Sequence, residues 1–469
     1  MINHEITPGD ISATVTADAD RRNRRAVPTT LVGDVVWPDD DEYDSSRGVF
    51  NAMIDRRPLA VLRCHDSSEV GRGIAFARRH HLALSVKGGG HNVAGNAVCD
   101  DGLMLDLSPM KGVQVDPVKR TVRAGAGLLL GELDRTTQEE HGLATPLGAV
   151  SLTGIAGLTL GGGLGWLNRK HGLACDNLVG AEVVTADGTV LHANPDSHPD
   201  LFWALRGGGG NFGVVTVFEY RLHPVGPVLA GAVSHPLQAA PEFLKLHDEL
   251  IASAPDELST AVSLALDPIG QPVVTVAVCW CGPHDDGKTV IGPLRSYGRP
   301  IFNQVGPVPY TDWQRGPDSG FPSGRLHYWK AGWLRDLTDA SVTTLLDRLQ
   351  TMPSSFSGIG LQHMGGAAAR IAPAATAFAH RAEQYDMLIL SQWADPADSE
   401  RNIAWTRQTF AAMQPHLADA VYVNNLGEEG QARVQAAYGA NYERLAEVKR
   451  RYDPDNLFEL NQNIVPALV

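Results

Sequence analysis

From Leu59 to Asn92 the chain reads LAVLRCHDSSEVGRGIAFARRHHLALSVKGGGHN, and this stretch decides the fold. Leu59 to Cys64 is short, apolar and β-type. Asp66 to His80 carries apolar residues at helical spacing and opens with Asp66 and Glu69 three apart, as in a helix-capping pair. Leu82 to Val86 is the next strand. The result is a β-α-β unit that ends on Lys87-Gly88-Gly89-Gly90-His91-Asn92. Three glycines after a strand let backbone N–H groups converge on an anion such as a pyrophosphate. His91 then stands beside the bound group; on spacing alone it also reads as a polar turn residue.

Further glycine clusters follow at Gly161 to Gly163 and Gly207 to Gly210. The segment from Thr153 to Trp166 is dense enough in glycine to let a flat cofactor lie against backbone. A second unit is expected from the strand Thr121 to Ala124, through the helical stretch Leu128 to His141, towards Leu147. Strands at Ala181 to Thr185 and Val214 to Leu222 close this half. Gly207 to Gly213 satisfies G-x-G-x-x-G, but a helix-like stretch, Asp200 to Leu205, precedes it and a β-branched strand follows. That is the wrong order for a nicotinamide-type Rossmann site.

After His223-Pro224 the pattern turns to strands: Ser259 to Leu266, Val273 to Cys281, Leu326 to Trp333, Gly358 to Met364 and Tyr385 to Trp393. Helices are expected at Leu237 to Ala254, Asp339 to Leu349 and Glu400 to Met413, giving an antiparallel sheet backed by helices. Tyr438 to Tyr452 reads as one helix stopped by Asp453-Pro454. The fold class is α+β.

At 469 residues the chain has room for two to four domains of about 100–200 residues. Its net charge is −14, and no run of Lys or Arg could follow a phosphate backbone, so nucleic acid is not an expected partner. The longest apolar runs, such as Val273 to Cys281, fall short of the roughly 18–20 residues that cross a bilayer. Met1 to Thr30 lacks the apolar core of a secretory signal and reads as a tail on a cytoplasmic protein. Cys64, Cys99, Cys175, Cys279 and Cys281 are too scattered for a disulfide framework, and no metal set is expected.

The motifs, taken in order, resemble the FAD-linked oxidases of the vanillyl-alcohol oxidase and p-cresol methylhydroxylase superfamily, in the berberine-bridge-enzyme-like branch. The resemblance covers about residues 34 to 466. It rests on Lys87 to Asn96, Thr153 to Trp166, Arg169 to Asn177, Asp200 to Gly213, and the C-terminal run from Asn441 to Ile464. It implies a flexible tail over 1–33, a p-cresol-methylhydroxylase-type FAD-binding domain of two α/β subdomains over 34–225, a substrate domain over 226–425, and a C-terminal segment over 426–469 that returns to the FAD domain. It implies FAD bonded covalently through His91, with Lys87, Gly88, Gly89, Gly90, Asn92, Gly95 and Asn96 around the pyrophosphate. Further cofactor contacts fall on Thr153, Gly154, Gly157, Gly161, Gly162, Asn177, Val183, Asn461 and Asn463. Many relatives add a cysteinyl link at the position that is Val150 here, so a single link is expected.

Oxidation of a C–H bond by flavin couples hydride departure to loss of an O–H or N–H proton, so a base should stand over the ring. The candidates are Tyr328, His363 and Tyr422, each of which also reads as a packed core residue. Asn425 stands where a number of relatives carry a tyrosine. Lys330, Gln362 and His380 are candidates for substrate contact. The expected reaction moves a hydride from a small or medium organic substrate to FAD, with dioxygen as acceptor and hydrogen peroxide as product. The alternatives are an oxygenase of secondary metabolism, weakened by Gly360 where such relatives place an acid, and a metabolite-binding resistance protein.

Overall fold

A computed structural model describes residues 31–382 and 385–468, so residues 1–30 of the expected tail lie outside the described residues. The opening unit forms at Ala60–Arg63, Ser67–His80 and Leu84–Lys87. Asp66 caps the helix by accepting from the Glu69 N–H at 2.9 Å, while the Glu69 carboxylate accepts from His65 N–H. Val70, Ile74 and Ala77 bury one helix face against the sheet. Both strands run parallel to Leu103–Asp106, which lies between them, and Asp34–Val36 adds an antiparallel edge. The parallel arrangement puts the strand ends Lys87 and Asp106 side by side, where the glycine loop begins.

The second unit departs from expectation. Thr121–Gly125 joins a five-stranded, wholly antiparallel sheet with Val113–Asp116, Val214–Arg221, Leu178–Val184 and Val190–Ala193. The helix expected over Leu128 to His141 is present over 130–141, with a π-turn over Arg135–Glu139 inside it. Thr136 and Thr137 hydroxyls donate to the carbonyls of Glu132 and Leu133, the back-bonding that bends helices. Leu143–Ala144 then pairs with His223–Pro224 rather than returning to the sheet.

The third sheet has seven antiparallel strands, in the order Phe302–Val308, Val228–Pro236, Pro272–Trp280, Leu258–Leu266, Gly358–His363, Tyr385–Trp393, Leu326–Leu334. Two of these, Val228–Pro236 and Phe302–Val308, were not expected. The first is interrupted by Gly231 and the second carries Gly306 and Pro307, a composition tolerated at a sheet edge. One face of the sheet packs on the helices Ala240–Ala252, His284–Ser296, Asp339–Leu349 and Ser399–Met413 through Val262, Leu264, Val274, Val276, Leu361 and Met387. The other face turns towards the glycine loops.

The helix expected over Tyr438 to Tyr452 is present as Tyr442–Tyr452, entered by a 3-10 turn over Gly439–Asn441, and a further helix that was not expected, Gln431–Tyr438, precedes it across Gly439 with φ 52°. Beyond it, the fully buried Lys449 ammonium donates to Asp453 at 2.5 Å and to the Asn211 carbonyl at 2.8 Å. Asp453 in turn accepts from the N–H groups of Leu457 and Phe458. This ion pair binds the last segment to the glycine run at Gly207 to Gly213. Among the described residues no helix is long and apolar enough to cross a membrane.

Candidate active site

A cavity of about 680 Å³ lies between the glycine loops and the free face of the seven-stranded sheet, a size within the range of cofactor and ligand sites. Its back wall exists because two loops meet backbone to backbone. A Cβ at Gly89 would lie 2.4 Å from the Gly154 nitrogen, and one at Gly154 the same distance from the Gly89 nitrogen. Only glycine at both positions lets the loop after Leu84–Lys87 and the loop before Ile155–Leu160 close on each other.

Of the expected cofactor residues, Gly88, Gly89, Gly90, His91, Asn92, Asn96, Thr153, Gly154, Gly157 and Asn461 line the cavity, as does Val150. The His91 Nε2 atom is buried without a partner among the described residues, and burial lowers the ring's pKa to about 4, so the imidazole is neutral at pH 7. Lys87 does not line the cavity; it donates to the Ser46 carbonyl at 2.7 Å beside Asp106. Gly95 packs on Ile54, while Gly161 and Gly162 sit behind the wall against Asn424 and Phe378.

Asn177 and Val183 lie away from the cavity. The Asn177 amide donates to the carbonyls of His171 and Leu173 and meets His223, and Val183 packs under Gly213. That end of the cavity is lined instead by Gly209, Gly210, Gly213, Val215, Tyr438 and Phe458. The sequence signal for these was the glycine run at Gly207 to Gly213, whose element order excludes a Rossmann turn but not a cofactor wall. Asn463 lines a separate recess of about 410 Å³.

The strand Leu326–Leu334 alternates as expected, with Tyr328 and Lys330 on one face and His327 and Trp329 on the other, but the cavity lies on the Trp329 side. Tyr328 points to the helix side, where its hydroxyl accepts from Arg407 at 3.1 Å, and Lys330 is paired with the buried Glu429 at 2.7 Å. His363 faces Arg169 at 3.0 Å and Tyr385, and His380 meets the Ala436 carbonyl at 2.8 Å; neither lines the cavity. Gln362 and Tyr422 do. The Tyr422 oxygen accepts from Gly163 N–H at 2.9 Å and from the Asn424 amide at 2.7 Å, and burial pushes its pKa up.

The acid in this cavity is Asp386, which sequence reasoning missed. One carboxylate oxygen accepts from the Asn425 amide at 2.6 Å; the other is buried and has no partner among the described residues. Burial raises its pKa to about 7. Among the described residues lining the cavity it is the one formally charged side chain; no Lys, Arg or Glu stands there. An acid opening the apolar strand Tyr385–Trp393 was the available signal, since an unpaired carboxylate is costly to bury without a task.

Two family models match the chain: an FAD binding domain over residues 58–194, and "berberine and berberine like" over residues 421–465. An FAD-linked oxidoreductase of Dictyostelium discoideum is 32% identical, with the match covering 89% of this chain and 91% of that protein. The chain belongs to the berberine-bridge-enzyme-like FAD-linked oxidoreductases. The (R)-6-hydroxynicotine oxidase of Paenarthrobacter nicotinovorans, another member, is 31% identical over 95% of this chain and 99% of its own. A crystal structure of 6-hydroxy-D-nicotine oxidase from Arthrobacter nicotinovorans matches with a TM-score of 0.87 at 29% identity, covering 94% of this chain and all of that one.

The residues fit the cofactor of this family. The glycine walls admit a flat group against backbone, and the amides of Asn424, Asn461 and Gln462 offer both donors and acceptors to its polar edge. This chain is an FAD-dependent oxidoreductase, and the loops at Gly88 to Asn92 and Thr153 to Gly157 line its cavity.

Proposed function

We propose that the protein is an oxidase with FAD attached through a single bond to His91, acting on a small or medium organic alcohol or amine. The single link is supported by Val150 at the cavity wall, with none of the five cysteines lining the cavity among the described residues. When bound, FAD supplies a hydride acceptor that dioxygen reoxidises, releasing hydrogen peroxide.

Asp386 takes the proton from the substrate O–H or N–H. A buried carboxylate oxygen without a partner among the described residues, on a residue that lines the cavity, is the observation that carries this reading, because Asn425 holds the other oxygen and leaves this one able to accept. Tyr422 acts differently from the base expected of it. Two donors already occupy its oxygen, so its remaining capacity is to donate its own proton and orient the substrate. Trp329 and Phe321 close the walls and exclude water. The absence of a cationic side chain from the described lining favours neutral or cationic substrates over carboxylates and phosphates. A member of the family whose name specifies 6-hydroxynicotine is consistent with that preference.

The test is acid precipitation of purified protein followed by oxygen-electrode assays on a panel of alcohols and amines. Yellow flavin retained by the wild-type pellet and lost in His91→Ala, with peroxide formed in step with oxygen uptake, supports the reading. A colourless wild-type pellet from flavin-saturated cells removes the covalent link, and turnover without peroxide removes the oxidase.

A further inference from the structure

His91 does not stand alone against its loop. The Phe50 ring stacks on the His91 imidazole at 4.0 Å between centroids with 13° between planes, and on its other side stacks on His327 at 4.3 Å and 29°. The sandwich is anchored by backbone: Phe50 N–H donates to the Gly90 carbonyl at 3.0 Å, one residue from His91. The next residue, Asn51, donates through its amide to the carbonyls of Val93 and His327 and accepts from His327 N–H at 3.0 Å. Phe50 and Asn51 therefore tie the glycine loop to the strand Leu326–Leu334, and the buried Phe50 ring fixes the tilt of an imidazole whose Nε2 has no partner among the described residues. His327 backs the stack with both ring nitrogens buried and without a partner among the described residues, neutral at pH 7 because burial and the neighbouring His91 lower its pKa to about 3.

We propose that Phe50, backed by His327, is a positioning residue for flavin attachment, holding the His91 ring in the plane from which its nitrogen reaches the 8α carbon. This rests on the covalent reading above. Attachment removes one hydrogen from the imidazole nitrogen and one from the 8α-methyl group and joins N to C. The two electrons released pass to the flavin and from it to dioxygen, which leaves with the two protons as hydrogen peroxide. Beside the ring's contact with its own backbone, a flat ring orients the imidazole by stacking, and a side chain of equal bulk without a plane would not.

The experiment is a time course of covalent incorporation, in which protein expressed under riboflavin limitation is mixed with FAD in air. In-gel fluorescence of denatured samples gives bound flavin, and absorbance after desalting gives total flavin. Phe50→Ala and Phe50→Leu should slow covalent incorporation at least tenfold while total flavin binding changes less than twofold. Phe50→Tyr, which restores a ring, should stay within threefold of wild type. Incorporation at the wild-type rate in Phe50→Leu overturns the proposal, and that variant decides the matter if Phe50→Ala does not fold. Tyr as slow as Leu also overturns it. A wild type that never becomes covalent brings down the His91 reading itself, an outcome distinct from a covalent wild type with unaltered variants.

Discussion

The two faces of the seven-stranded sheet are written in the same strands and differ at every second residue. Towards the helices stand Val262, Leu264, Val274, Val276, Ile359 and Leu361, all buried. Towards the cavity stand Ala261, Ser263, Ala265, Thr275, Ala277, Gly358 and Gly360, with a β-carbon at Gly360 meeting nothing nearer than the Leu388 carbonyl at 3.9 Å. Large branched side chains on one side hold the sheet by burial; small ones on the other keep it from filling its own site. Stability and capacity are thus assigned to opposite sides of one layer, and the acid among the described lining residues, Asp386, stands on the open side.

That division can be broken from either side. The largest effect is expected at Asp386→Asn, which should keep the fold and covalent flavin while lowering kcat/KM by about 10²–10⁴-fold, measured by oxygen uptake on any substrate found. The same group sets the pH profile. With its pKa raised to about 7, kcat/KM should climb as pH rises to about 7 and level off above it, and this limb should vanish in Asp386→Asn. Linkage adds a stability signature of defined sign: a carboxyl whose folded pKa lies above its unfolded 3.8 favours the fold below that value and loses this contribution as pH rises through about 7.

Next in size, Leu361→Ala on the helix face should cost about 2–5 kcal/mol in denaturant unfolding with little change in KM. Gly360→Leu, one residue away, should do the reverse, raising KM about tenfold with melting little changed. If both variants acted through stability, the assignment of separate duties to the two faces would fall. The smallest effect belongs to Tyr328→Phe, which loses one half-exposed hydrogen bond to Arg407. Stability should move by about 0.5 kcal/mol or less and kcat not at all.

How much of this was legible beforehand depended on whether the signal was local. The β-α-β start was readable because capping at Asp66, helical spacing and glycine all act within a few residues. Alternation at Leu326 to Leu334 is readable too, but which face meets the cavity is a property of the sheet's neighbours, and so the pattern alone does not tell Tyr328 and Lys330, which turn to the helix side, from Trp329, which lines the cavity. Asn177 was placed at the cofactor by motif, yet its amide is consumed by carbonyls at His171 and Leu173 brought near by a turn. Asp386 escaped notice because its importance lies in burial and in an oxygen left open, and neither is visible in an apolar strand that merely contains an acid.

The buried Lys449–Asp453 pair has a consequence for the order in which the protein is made. It draws Phe458 to Gln462 against a cavity whose facing wall is built from residues 88–92, 370 positions earlier. A nascent chain that has emerged only as far as residue 440 holds both glycine loops and the entire substrate sheet, but one side of its flavin site is still missing. The cavity is therefore complete only when residues 458–462 have been laid against it.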